Sequence, residues 1–74
     1  MDMWDAYLNT RNYVHRIWPD WSLGQCAFYA LSCLDKHLAE ELSGTALNPV
    51  EGDEVCLDAF ETTIKVRWRQ EEVA

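Results

Sequence analysis

Long apolar runs are missing from this chain: none approaches the roughly 20 residues that a membrane-spanning helix needs. Positive charge is scarce as well. Six Lys and Arg stand against thirteen Asp and Glu, for a net charge of -7. That balance argues against general nucleic-acid binding, since phosphate contact needs concentrated cations. Cysteine occurs three times, an odd number that cannot close a set of internal disulfides, so a reducing cytoplasm is the compartment expected. The opening Met1-Asp2-Met3-Trp4-Asp5 has neither the basic n-region nor the apolar h-region of a secretory signal. There is no internal repeat and no low-complexity segment.

What is present is bulk. Apolar residues make up 49% of the 74, and four Trp, three Tyr and two Phe supply large side chains to bury. This is a globular composition at a length near the lower edge of what folds alone. The aromatic residues therefore either offset a small core or lie in an interface, and a homodimer is one expectation.

A first helix is read from about Asp2 to Ile17, because Met3, Tyr7, Thr10, Val14 and Ile17 recur at three- and four-residue spacing, with Trp4 and Leu8 beside them. Asp2 and Asp5 suit its positive end, His15 and Arg16 its negative end. Pro19 stops it and pushes Trp18 toward extended backbone. Ser22 and Gln25 then write a capping box, with Trp21 placed to staple onto Cys26. Leu23, Ala27, Ala30, Leu31, Leu34, Leu38 and Leu42 predict one continuous helix from Ser22 to about Ser43, closed by a left-handed Gly44.

Asn48-Pro49-Val50-Glu51 reads as a single turn, cut short by Gly52. Cys56, Phe60, Ile64 and Trp68 share a four-residue ridge, predicting a last helix over about Asp53 to Arg69. A strand over Thr62–Trp68 competes with it, since Ile64, Val66 and Trp68 alternate among β-branched neighbours. The longer ridge favours the helix. The expectation is an all-α, three-helix bundle forming one domain over 1–69, with a frayed tail over 70–74.

The run Leu23-Gly24-Gln25-Cys26-Ala27-Phe28-Tyr29-Ala30-Leu31, then Leu38-Ala39-Glu40-Glu41-Leu42-Ser43-Gly44-Thr45 and Asn48-Pro49, resembles a pattern in small uncharacterised helical proteins of phages and mobile elements. In those a helix opens with Leu-Gly-Gln, ends near Gly-Thr and is followed by Asp-Pro or Asn-Pro. The likeness covers residues 21–68. Many such proteins carry Asn where this chain has Tyr29. What the resemblance implies is a compact helical protein acting on a host or phage partner; it implies no activity.

Cys26, Cys33 and His37 lie on a narrow arc of the predicted second helix, with Cys56 able to approach from the last. Thiolates and imidazole suit zinc, but the spacing lacks a Cys-x-x-Cys knuckle, so buried thiols are the expectation and neither metal nor cofactor is assigned. Cys33 and His37 also suggest a nucleophile and base, the basis of a small-hydrolase alternative; one helix face offers such a pair little cleft. Glu40, Glu41, Asp53, Glu54, Asp58 and Glu61 form a candidate acidic patch, with a second reading as a nucleic-acid mimic that inhibits a DNA- or RNA-binding protein. Lys65, Arg67 and Arg69 are the short basic counterpart.

Trp is enriched at interface hot spots. The leading expectation is a non-enzymatic protein-protein interaction module that binds a protein partner through Trp18, Trp21, Phe28, Tyr29 or Trp68. Direct nucleic-acid and membrane binding are not expected.

Overall fold

The computed structural model describes residues 2–44, 49 and 54–73, the side chains at 54, 55 and 71–73 excepted. The described residues are all-α, but they form four helices rather than the expected three: α1 (Met3–Ile17), α2 (Leu23–Leu34), α3 (Lys36–Ser43) and α4 (Glu54–Val73). The turn expected over Asn48–Glu51 lies outside the described residues apart from Pro49.

α1 begins where its first turn can be capped: the Asp2 carboxylate accepts from the Asp5 N–H at 2.8 Å. It ends at Trp18, whose N–H still reaches the Val14 carbonyl at 2.9 Å before Pro19 removes the next donor. Trp18-Pro19-Asp20-Trp21 then closes a tight turn, with the Trp21 N–H donating to the Trp18 carbonyl at 3.0 Å. The inward face of α1 is rotated from the one predicted. Tyr7 and Val14 are buried, whereas Met3 and Ile17 are exposed. Arg11 turns toward α4 and Glu61.

α2 opens with the predicted capping box: the Ser22 N–H donates to Gln25 Oε1 at 2.9 Å and the Gln25 N–H to Ser22 Oγ at 3.2 Å. Leu23, expected in the buried stripe, is exposed. Its neighbour Gly24 faces inward instead, against buried Pro49, so closely that a methyl built there would overlap the Pro49 carbonyl. The Leu-Gly-Gln start and Pro49 thus touch, and only a residue without Cβ fits the contact.

The long helix expected over Ser22–Ser43 breaks at Asp35. This residue leaves helical geometry (φ -150°, ψ 79°), ends α2 and caps α3. One carboxylate oxygen accepts from the Leu38 N–H at 3.2 Å, and the other from the Trp68 indole N–H at 3.0 Å. The apolar spacing runs on across the break, but these two bonds favour a corner over another helical turn. α3 then folds back and buries Leu38, Ala39 and Leu42. Gly44 ends α3 with φ -93°, so the left-handed cap is not formed.

α4 is helical throughout the Thr62–Trp68 stretch and continues to Val73, beyond the expected end at Arg69. Phe60, Ile64 and Trp68 are buried, while Val66, the alternating partner a strand would have used, is 50% exposed. Thr63 is accommodated by donating its hydroxyl to the Ala59 carbonyl at 2.8 Å. The core gathers Tyr7 from α1, Ala27, Ala30 and Leu31 from α2, Leu38, Ala39 and Leu42 from α3, and Phe60, Ile64 and Trp68 from α4. The alanines let α2 lie close to its neighbours, and each fully buried large side chain contributes about 1.5–3 kcal/mol.

Candidate interaction surface

The turn between α1 and α2 assembles an aromatic end on the molecule. Because Pro19 and Asp20 reverse the chain, Trp18 and Trp21 stack with ring centroids 4.8 Å apart and planes 14° from parallel. Tyr29, two turns into α2, stands edge-on to both rings at 5.9 Å, at 64° to Trp18 and 68° to Trp21. Offset stacks and edge contacts suit the charge distribution of aromatic rings and contribute about 0.5–1.5 kcal/mol each. Trp18 nonetheless remains 40% and Tyr29 43% exposed. The cluster is ordered by itself yet still offers ring surface outward.

Beside it runs a shallow groove of about 360 Å³, lined by Trp21, Gln25, Phe28, Tyr29 and Ser32. Phe28 bridges groove and core, its ring 6.3 Å from that of Phe60. Gln25 and Ser32 were not among the predicted site residues. Their spacing from Tyr29, four before and three after, is the helical signal that places them on its face. Each polar side chain is tied locally, Gln25 Oε1 to the Ser22 N–H and the Ser32 hydroxyl to the Phe28 carbonyl at 2.9 Å.

The fifth predicted aromatic residue is elsewhere. Trp68 is only 4% exposed, packs edge-on to Tyr7 at 6.1 Å and donates to Asp35. It holds the α2–α3 corner from inside, because its indole N–H requires an acceptor once buried.

The acidic residues are dispersed. Glu61 accepts from the Tyr7 hydroxyl at 2.7 Å and pairs with Arg11 in a partly buried network. Burial pushes the Tyr7 hydroxyl well above its ordinary range, with neighbouring Glu61 adding to the effect and Arg11 opposing it. Glu41 pairs with Arg67 at 3.2 Å. Glu40 and Asp58 are exposed, while Asp53 and the Glu54 side chain lie outside the described residues. The basic cluster divides too: Arg67 turns to α3, and Lys65 sits 5.4 Å over the Trp4 ring.

Cys26 is buried and its thiol pushed up by burial, against the pull of Arg11, so it is poorly suited to act as a thiolate. Cys33 and His37 are exposed on opposite sides of the Asp35 corner. Among the described residues no three His, Cys, Asp or Glu side chains are grouped to hold a metal ion, and no helix is long and apolar enough to cross a membrane.

The chain matches no protein-family model, no curated protein and no solved structure.

Proposed function

We propose that this chain is a non-enzymatic interaction module that docks a protein partner on its aromatic end. The observation carrying the reading is the Trp18–Trp21–Tyr29 cluster, internally stacked and yet with Trp18 and Tyr29 about two-fifths exposed. Preformed rings lose little conformational freedom on binding, the condition under which aromatic residues become hot spots. The adjoining groove is lined by Trp21, Gln25, Phe28, Tyr29 and Ser32, which fits recognition better than proton transfer or nucleophilic attack. A host or phage protein is the partner class in keeping with the Leu-Gly-Gln resemblance. Nucleic-acid mimicry draws less support, because Glu61 and Glu41 are engaged by Arg11 and Arg67.

The test begins by identifying a partner by affinity capture from the native host, then titrating that purified partner against the wild type and a Trp18→Ser/Tyr29→Ser variant. Loss of two hot-spot rings is expected to weaken binding by about 30-fold or more, with helix content unchanged by circular dichroism. Binding by the wild type should persist at high salt, as an apolar contact does. Unchanged affinity of the double variant, or steep loss of wild-type binding in salt, would overturn the assignment.

A further inference from the structure

Between Asp58 and Arg69 the outer face of α4 is ordered by charge. Asp58, Thr62, Lys65 and Arg69 follow at spacings of four, three and four, and all are exposed, so they share the side of the helix turned away from Phe60, Ile64 and Trp68. The acid lies toward the N-terminal half and the two cations toward the C-terminal half. Half-exposed Val66 runs alongside, and Thr62, Lys65, Val66, Arg69 and Gln70 line a shallow concavity of about 620 Å³. No ion pair within the described residues uses Asp58, Lys65 or Arg69. Lys65 lies over the Trp4 ring at 5.4 Å, a contact its flexible stem can leave.

This order is self-complementary. We infer that α4 pairs antiparallel with α4 of a second copy about a two-fold axis near Thr62, joining Asp58 of each chain to Lys65 of the other. A two-fold interface must present one patch to itself, so a patch of one sign would repel its copy. Here reversal of the helix brings the acidic half onto the basic half twice over. The Asp58–Lys65 separation is about 10 Å along the axis, and antiparallel pairing closes both ion pairs. The surface is separate from the aromatic end, so each proposal can fail alone. Contact along one helix face is smaller than a standard protein interface, which makes the pairing concentration-dependent and salt-sensitive.

Light scattering coupled to size exclusion should show a mass of 8.6 kDa when dilute, rising toward twice that value at high concentration and low salt. Asp58→Lys and Lys65→Asp should each abolish the rise, because either leaves like charges facing across the axis. Mixing these two variants should restore a dimer, since lysines at 58 and 65 of one chain then face aspartates at 65 and 58 of the other. Trp18→Ser should dimerise like wild type. Circular dichroism keeps the test clear of unfolding, and the mixture itself requires both variants to be folded. A wild-type mass fixed at the monomer value, variants that dimerise alone, or a mixture that stays monomeric would each overturn the pairing.

Discussion

Tyr7 joins the two kinds of force that hold this core. Its ring stacks 5.2 Å from Trp4 and is fully buried, while its hydroxyl donates to Glu61, which also receives Arg11. Such a donor is satisfied only as long as it keeps its proton. An unfolded tyrosine ionises near pH 10, whereas burial first, and then Glu61, hold Tyr7 neutral well above that point. The stability contributed here is thus complete below about pH 10 and declines as pH rises past it. Urea titrations from about pH 8 to about pH 11 should show a steeper alkaline loss for wild type than for Tyr7→Phe. The variant should also be about 1–2 kcal/mol less stable at neutral pH, because Glu61 loses a donor. Parallel pH profiles would locate the alkaline sensitivity at other groups.

At the scale of elements, the α2–α3 corner depends on one side chain. Asp35→Ala removes a helix cap, costing about 1 kcal/mol, and leaves the buried Trp68 N–H without its acceptor, costing about 1–3 kcal/mol more. Asp35→Asn, with one oxygen in place of two, can keep only one of the two bonds and should fall between wild type and Asp35→Ala in urea midpoint. Equal midpoints for all three would remove Asp35 from this role. The corner also shows why part of the fold was legible and part was not. Caps and ridges are local: Ser22 with Gln25, Pro19 as a stop, and Phe60, Ile64 and Trp68 at fourth-residue spacing all form as their sequence suggests. Asp35 is a good cap residue as well, but Leu31, Leu34, Leu38 and Leu42 keep helical spacing across it, and its second acceptor is used by a side chain 33 positions away. Arg11 and Glu61, 50 positions apart, are hidden in the same manner. Of the candidate aromatic site, Trp18, Trp21, Phe28 and Tyr29 come together because a short turn and one helix face relate them. Trp68 escapes to the core because its partner is distant in sequence.

For the molecule as a whole, charge is the quantity that separates folding from self-association. Thirteen acidic residues against six basic ones make the folded chain repel itself, since compaction brings like charges together. Among the described residues two ion pairs oppose this. Arg11–Glu61 is shielded, with side chains 16% and 17% exposed, whereas Arg67–Glu41 lies open at 42% and 47%. Added salt screens the exposed repulsion and the exposed pair, but reaches the shielded pair weakly. The net expectation is that raising NaCl from about 0.02 M to about 0.5 M stabilises the dilute monomer by on the order of 1 kcal/mol or less. The α4 pairing requires the opposite response, because its register rests on exposed charges of opposite sign. Urea midpoints measured dilute should therefore rise with salt while the dimer fraction measured at high concentration falls. A midpoint that drops with salt would mean that attraction within the fold outweighs its excess of negative charge.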